Sequence, residues 1–373
     1  MIICEKNKCT GCGVCTIVCP KQCISLKEGP LGHLFPSINK TNCINCGVCR
    51  KRCPSNIQIS VKFPQNCYAA WAKDEYVYKT TTSGGIATVM SRYVISQGGV
   101  VYGCAMMPNI VVKHVRVDNY EDLEFLKGSK YVQSSIVDVL SQIKVDINHE
   151  RLVLFIGTPC QVAAIKSIFN VLPTNLLLVD IICHGVPSIS FLRNHAKRVV
   201  KTVDLDYIRF RERGYTMTMI KKGKTIYKMP LWEQRYRDLY LNTFIDGFSY
   251  RDSCNNCVYA KPERVGDITI GDFWGLGKLN PVDDLPIHKY GCSVVLTNTN
   301  KGSDFFDLLK KNIFEFKRPM EEALYGNDQL NHPKYADLRI RVFKKLQPLF
   351  GYRLYYILVL DRIAKYKIRR FLK

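Results

Sequence analysis

The sequence lacks a hydrophobic run long enough to cross a membrane. The apolar stretch Leu354–Leu360 spans seven residues, whereas a transmembrane helix needs about 20. The chain also lacks a basic segment followed by an apolar run at its start, because it opens Met-Ile-Ile-Cys-Glu-Lys. These absences argue against a membrane-spanning or secreted protein, so we expect a cytoplasmic location.

Acidic residues are also scarce. The chain has 32 Asp and Glu against 54 Lys and Arg, a formal net charge of +22, which favours an anionic partner. No nucleic-acid-binding motif accompanies this charge, so we do not expect nucleic acid. Residues 339–373 carry eleven basic side chains against Asp361 alone. Three interpretations stay open for this basic amphipathic tail: peripheral binding to an anionic inner membrane face, docking to an acidic redox partner such as ferredoxin or flavodoxin, or simple solvation.

Cysteine is abundant, with 17 residues. One spacing of four thiols closed by proline begins at Cys9 and repeats 34 residues later at Cys43, and this spacing is the signature of bacterial two-cluster ferredoxins. Three thiolates two residues apart hold three corners of a 4Fe-4S cube, and the fourth crosses to the partner cluster. The spacing predicts one cluster on Cys9, Cys12, Cys15 and Cys53, and another on Cys19, Cys43, Cys46 and Cys49.

Structural zinc and disulfides are the alternatives to iron–sulfur clusters. Zinc usually takes one or two Cys pairs separated by a longer loop and does not require a third Cys and a Cys-Pro in each half. Disulfides need an oxidising compartment, which the start of the chain does not favour. We therefore predict iron–sulfur clusters and single-electron chemistry.

The length of 373 residues exceeds what a ferredoxin needs. We predict an α+β ferredoxin-like two-cluster domain over residues 1–62, an α/β domain with a mixed sheet over residues 66–338, and the tail over residues 339–373. Apolar runs predict strands at 57–62, 68–72, 100–106, 111–117, 152–156, 176–182, 268–270 and 292–296. Helical periodicity predicts helices at 85–97, 136–145, 160–169, 189–201, 231–245 and 303–311.

A second cysteine set lies in the larger domain. Cys160 and Cys183 each follow an apolar strand pattern, so both should lie at the same edge of the sheet. Cys254 and Cys257 have the spacing of two ligands of one metal. By spacing alone, a third cluster and a combination of structural zinc with buried thiols stay equally open. The remaining cysteines are interpreted as structural: Cys4, Cys23, Cys67, Cys104 and Cys292.

Two loops have the composition of a phosphate or dinucleotide site. Thr80–Gly85 brings hydroxyls and glycines to the start of a predicted helix, which suits a pyrophosphate, although an ordinary Ser/Thr helix cap explains the local pattern as well. Residues 128–134 form a cationic, hydroxyl-bearing loop, for which a dinucleotide site and a simple turn both stay open. His184 and Asp272 are the candidate catalytic residues, with a solvated or hydrogen-bonded His and a simple turn as the alternatives.

Taken in order, these motifs resemble the beta-subunit family of coenzyme F420 (deazaflavin) hydrogenases and dehydrogenases, fused to the two-cluster ferredoxin domain. The motifs are Thr-Ser-Gly-Gly, Gly-Ser-Lys-Tyr-Val-Gln-Ser, Gly-Thr-Pro-Cys-Gln, Cys-His-Gly-Val-Pro-Ser, Cys-x-x-Cys and Asp-Ile-Thr-Ile-Gly-Asp-Phe-Trp-Gly. The resemblance covers roughly residues 66–345. It implies an FAD and a third 4Fe-4S cluster on Cys160, Cys183, Cys254 and Cys257. It places these residues near the flavin: Thr82, Ser83, Gly84, Gly85, Ser129, Lys130 and Tyr131.

The expected function is an iron–sulfur flavoprotein oxidoreductase. Electrons from a low-potential, ferredoxin-type donor would pass through the clusters to FAD and on to a small-molecule substrate, with surface-polysaccharide metabolism as the expected setting. Two alternatives stay open: an oxidoreductase of the deazaflavin coenzyme itself, and an electron-relay subunit without its own substrate.

Overall fold

The computed structural model describes residues 2–212, 215–282 and 285–371. The first 60 residues form the antiparallel hairpin of β1 (Ile24–Glu28) and β2 (Leu34–Ile38), flanked by the short helices α1 (Val14–Ile17) and α2 (Val48–Lys51). Each helix begins after a glycine with positive φ, so the sequence repeat is also a structural repeat.

The larger domain is built on an eight-stranded mixed sheet, as predicted. Its strand order is β13-β3-β12-β11-β7-β6-β4-β5, in which the four neighbours β11, β7, β6 and β4 are parallel and the outer pairs are antiparallel. The strands are β3 (Asn66–Ala72), β4 (Val100–Met107), β5 (Val111–Val117), β6 (Val153–Gly157), β7 (Leu176–Ile181), β11 (Ile268–Asp272), β12 (Ser293–Thr297) and β13 (Ile313–Arg318).

Alternating residues of the central strands enter two different cores. Leu154 and Leu177 face one side of the sheet, where they join Met90 and Phe306. Val153, Phe155 and their neighbours face the other side, together with residues of the helices that follow β5 and β6. Because both faces are covered, these strands read as continuous apolar runs, and this is why the sequence predicts them well.

Helices cover both faces and connect the strands. Those of the large domain are α3 (Glu75–Thr80), α4 (Ile86–Ser96), α5 (Val137–Asn148), α6 (Pro159–Ser167), α7 (Ile189–Val200), α8 (Leu239–Ile245), α9 (Asp252–Asn255), α10 (Asn300–Leu309), α11 (Met320–Gly326), α12 (Leu338–Phe350), α13 (Leu354–Leu358) and α14 (Leu360–Phe371). The prediction of one helix over 231–245 is wrong in its first half, where turns lead to the Asp238 cap of α8. The predicted strand at 57–62 is also wrong, because only the isolated bridge from Lys62 to Arg264 forms there.

A small antiparallel sheet was not predicted. It consists of β8 (Tyr207–Glu212), β9 (Thr216–Lys221) and β10 (Lys224–Pro230). Phe210 and Met219 from this sheet share a core with Phe343 and Tyr355 from α12 and α13. The first part of the segment 339–373 therefore packs into the large domain.

Helix α14 keeps one apolar stripe exposed. Leu360, Ile368 and Phe371 are exposed, whereas the Tyr366 hydroxyl bonds the Glu233 carbonyl on the opposite side. In the part of the chain that is described, every helix is too short or too polar to span a bilayer. Peripheral membrane binding of this stripe stays a prediction.

A buried ion pair fastens the connection between the domains. Arg264 and Asp180 are 1% and 0% exposed, and Arg264 Nη2 lies 3.3 Å from Asp180 Oδ1. The Arg264 backbone exchanges two hydrogen bonds with Lys62, at 2.9 and 2.7 Å. The pair therefore anchors the linker to the end of β7.

Replacing Arg264 by Met should destabilise the fold by about 3–5 kcal/mol, because the Asp180 carboxylate would stay buried without its cation. Urea unfolding measures this change. Arg339→Met is the matched control, since Arg339 pairs with Asp361 at the surface, and it should change little. Equal losses in the two variants would contradict the structural role assigned to Arg264.

Candidate functional site

The first group of thiols, here called the inner quartet, comprises Cys9, Cys12, Cys15 and Cys53. All four line one small pocket. The chain turns tightly around this pocket because Gly11 and Gly13 have φ of 69° and 78°, a conformation that favours glycine. The quartet predicted from the spacing is therefore brought together.

The outer quartet comprises Cys19, Cys43, Cys46 and Cys49. Cys19 and Cys46 are electrostatic neighbours of Cys49, and Cys49 in turn neighbours Cys15 of the inner quartet. The two quartets are thus adjacent. Cys46 is exposed, whereas Cys19 and Cys49 are buried.

Each quartet also has a fifth thiol beside it that the sequence analysis treats as structural. Cys4 lies in the pocket of the inner quartet, beside the thiols of Cys53 and Cys9. Cys23 Sγ lies 3.5 Å from Cys19 Sγ. Neither thiol belongs to the repeated spacing, so the sequence pattern carries no sign of these contacts.

The third group, here called the strand-end set, comprises Cys160, Cys183, Cys254 and Cys257. Cys160 lies in the first turn of α6 after β6, and Cys183 follows β7. Cys254 lies on α9 and Cys257 just beyond it. All four line one cavity of about 330 Å³, as expected for residues at the carboxyl edge of the sheet.

Burial raises the pKa of every thiol in this set, and neighbouring thiols add to the effect at Cys183, Cys254 and Cys257. The pKa values of Cys254 and Cys257 rise to about 12 and about 11. The set is therefore neutral until a cation binds and displaces the protons. Four thiols with no carboxylate are a soft donor set, which suits a 4Fe-4S cluster or zinc.

Within the described ranges, no three His, Cys, Asp or Glu side chains are arranged to hold a single metal ion. A 4Fe-4S cube is larger than one ion, so its ligand sulfurs stand farther apart than those around zinc, which lie about 2.3 Å from the metal. The three groups of thiols fit clusters in their donor chemistry, and the inner quartet and the strand-end set each line a pocket.

Arg251 joins the N-terminal domain to the large domain, and sequence reasoning missed it. It is 1% exposed. Its guanidinium donates to the carbonyls of Cys9 at 2.5 Å and Leu34 at 2.7 Å, and to Cys9 Sγ at 3.4 Å. Gln133 supports the same interface by donating to the Thr10 carbonyl at 2.9 Å. A hydrogen bond from Cys4 lowers the pKa of Cys9, and the Arg251 charge lowers it further.

A second cavity, of about 320 Å³, shares part of its lining with the cavity of the strand-end set. It is lined by Cys12 of the inner quartet and by Cys160, Cys183 and Cys254 of the strand-end set. Six of the residues predicted to hold FAD line it too: Thr82, Ser83, Gly85, Ser129, Lys130 and Tyr131. Its volume is within the range of small-molecule sites.

The loop before α4 has an unusual backbone. Ser83, Gly84 and Gly85 have φ of 54°, 83° and 80°, and Gly84 is buried behind the cavity wall, where a Cβ would lie 2.9 Å from the Ala70 carbonyl. The N-cap of α4 is Gly85, which makes no side-chain cap bond. The alternative of an ordinary Ser/Thr cap is therefore wrong, and the N-terminus of α4 faces the cavity uncapped.

Lys130 holds the second loop in place. Its ammonium donates to the carbonyls of Phe125, Leu126 and Lys127 at 3.2, 2.7 and 2.9 Å. Burial lowers its pKa to about 8. The side chain therefore brings a positive charge to the cavity wall while its hydrogen bonds serve the loop.

The two candidate catalytic residues differ in their surroundings. His184 lines both cavities, and burial lowers the pKa of its imidazole. Asp272, at the end of β11, accepts hydrogen bonds from Ser83 and Arg211. This pairing favours a positioning role for Asp272, because it ties the loop before α4 to the sheet.

The mouth of the cavity contains an aromatic and cationic group that sequence reasoning also missed. The Arg211 guanidinium lies 4.3 Å from the ring centre of Tyr215 and 5.8 Å from that of Trp274. The Tyr215 and Trp274 rings stack at 5.8 Å. Arg211 lies on β8, in the sheet that the sequence analysis did not predict, so no motif pointed to it.

Fold and site together define an iron–sulfur module joined to an α/β domain with a cofactor-sized cavity. Residues 8–57 match the family of 4Fe-4S dicluster domains. Residues 150–322 match the family described as the C terminus of the coenzyme F420 hydrogenase/dehydrogenase beta subunit. These matches confirm the resemblance over the two segments. The loops at 82–85 and 128–134 lie outside both matches.

The chain also has similarity to a solved structure and none to curated proteins. A chain of the F420-reducing nickel–iron hydrogenase complex from Methanosarcina barkeri is 17% identical, with 74% of this chain and 89% of that chain covered and a TM-score of 0.49. At this TM-score the similarity supports no argument about activity. No curated protein matches the chain.

Replacing Arg251 by Met should loosen the N-terminal domain. Each carbonyl left without its donor costs about 1–3 kcal/mol, so thermal stability should fall and hydrogen exchange at residues 9–11 should rise. Arg251→Lys should give an intermediate effect because Lys lacks the planar fork. Arg237→Met, at the surface, should change neither measurement. Unchanged exchange in Arg251→Met would show that other contacts hold the domain.

Proposed function

We propose that the protein is an iron–sulfur flavoprotein oxidoreductase that passes electrons from a low-potential donor to a small-molecule substrate. One observation carries the proposal. A single cavity is lined by Cys12 of the N-terminal domain and by Cys160, Cys183 and Cys254 of the large domain. Electron-carrying groups held by these thiols would therefore stand beside the space available to a flavin.

The order of the thiol groups supports a path through the molecule. The outer quartet reaches the surface at Cys46, and Cys49 neighbours Cys15 of the inner quartet. Tyr259 neighbours Cys12 of the inner quartet and Cys160 of the strand-end set. The path runs from the surface through the inner quartet and the strand-end set to the cavity.

The residues of the chain would divide the work as follows. The three groups of thiols would hold 4Fe-4S clusters, and the uncapped N-terminus of α4 would bind the pyrophosphate of FAD. When bound, these groups supply single-electron transfer and its conversion into hydride chemistry. Tyr131 and Ser129 would orient the flavin, and burial of the cavity would exclude water.

A second candidate is an oxidoreductase of the deazaflavin coenzyme. The family description of residues 150–322 favours it, and Arg211 beside Trp274 offers a cationic, aromatic mouth for a flat anionic molecule. The protein is first reduced by a ferredoxin-type donor, and the deazaflavin coenzyme is then added without dithionite. Bleaching of the coenzyme, with return of its colour on reoxidation, would select this candidate.

Anaerobic purification with iron, sulfide and flavin analysis tests the proposal. Three 4Fe-4S clusters give about twelve irons per chain, and one FAD per chain is expected beside them. Cys257→Ala should lower the iron content to about eight. The matched control is Cys67→Ala, a buried cysteine of β3, which should retain the wild-type content. Eight irons in the wild type, or no flavin, would contradict the third cluster or the FAD respectively.

Flavin retention should depend on pH because of Lys130. Its pKa of about 8 means that the positive charge on the cavity wall is present below pH 8 and lost above it. FAD should therefore dissociate more readily as pH rises through about 8, as measured by fluorescence of released flavin. Below pH 8, Lys130→Met should release FAD more readily than the wild type does. Its FAD dissociation should no longer depend on pH. A wild-type affinity that is flat between pH 7 and 9 would contradict the role of Lys130.

A further inference from the structure

The outer quartet reaches the surface on a loop with an apolar centre. Among the twelve predicted cluster ligands, all of them described, Cys46 is the one that is exposed. It lies in the loop between β2 and α2, next to Ile44, which is 59% exposed. Asn45 between them has φ of 54°. This loop therefore presents a ligand position and an apolar side chain together to the solvent.

Exposed basic residues flank the same ligands. Lys21 follows Cys19, Lys40 precedes Cys43, and Arg50 and Lys51 follow Cys49, and all four are exposed. Residues 1–62 contain nine basic and two acidic residues. The two acidic side chains are engaged elsewhere, since Glu5 pairs with Lys8 and Glu28 accepts a hydrogen bond from Ser190. The rim of this face is positively charged.

The opposite side of the N-terminal domain is closed by the large domain. Val14 is fully buried in a core that contains Ile136 and Leu140. A Cβ on Gly13 would lie 2.3 Å from the Val137 side chain, so the domains are in close contact there. The exposed Cys46 therefore lies on a side of the N-terminal domain that is open to a protein partner.

We propose that the face formed by Ile44, Cys46, Lys21, Lys40, Arg50 and Lys51 docks a small acidic one-electron carrier protein of the ferredoxin class. The inference rests on the proposed function, because it needs a cluster in the outer quartet. In each encounter the reduced carrier gives up one electron and the outer cluster gains it, so two encounters supply a two-electron reduction. Ile44 makes the apolar centre of the contact, and the basic rim steers the acidic carrier.

Rapid mixing of anaerobic holoprotein with a photochemically reduced acidic one-cluster ferredoxin tests the docking face. The variant K21E/K40E/K51E should lower the second-order rate about tenfold or more at low salt and flatten its dependence on salt, because steering charges act on association. Ile44→Ser should lower the rate at all salt concentrations. The matched control K365E/K367E/R369E changes the same amount of charge on exposed residues of α14 and should stay within about twofold of wild type.

Three results separate the docking inference from the proposed function. Iron content and the extent of reduction by dithionite, measured for every variant, establish that the clusters are intact. Absent clusters in the wild type would overturn the proposed function and the docking face together. Intact clusters with a wild-type rate in K21E/K40E/K51E would overturn the docking face alone. A rate lost only in the α14 variant would also overturn it and would assign the partner to the C-terminal helix.

Discussion

The placement of the N-terminal domain on the carboxyl edge of the parallel strands governs the rest of the structure. Arg251 closes this interface from inside, because its buried guanidinium binds the Cys9 and Leu34 carbonyls while its backbone N–H donates to the Val186 carbonyl after β7. A buried cation is costly unless it is well hydrogen-bonded. Its surroundings meet that condition, and they bring the inner quartet to the wall of the cavity.

The sequence predicts the fully buried strands of the large sheet well and the half-exposed strand β8 poorly, for one physical reason. β7 begins at the predicted Leu176 and ends one residue before the predicted end, because its apolar run Leu176–Val179 is buried throughout. β8 alternates Tyr, Ile, Arg, Phe, Arg and Glu, and one face of it is exposed. Such a strand buries few residues, so its pattern is weak, and Arg211 at the cavity mouth was missed with it.

In the candidate site, features that are local in the sequence were predicted, whereas contacts between residues far apart in the chain were not. The cysteine repeat is a local pattern, and the structure brings its members together. Other contacts join residues far apart in the chain, so no motif spacing predicts them. They are the contacts of Arg251 with Cys9, of Cys4 with Cys53 and of Arg211 with Asp272. The loop before α4 is intermediate, because its glycines indicate an unusual backbone and the uncapped helix becomes visible only in three dimensions.

The bridge between Lys62 and Arg264, together with the contacts of Arg251, makes the cysteine-rich module an integral part of the large domain. Where an electron carrier is attached to a mobile segment, the motion of that segment through the solvent can limit the rate of turnover. Here the separation between the thiol groups is set by packed backbone. Transfer inside the molecule would therefore be insensitive to solvent viscosity.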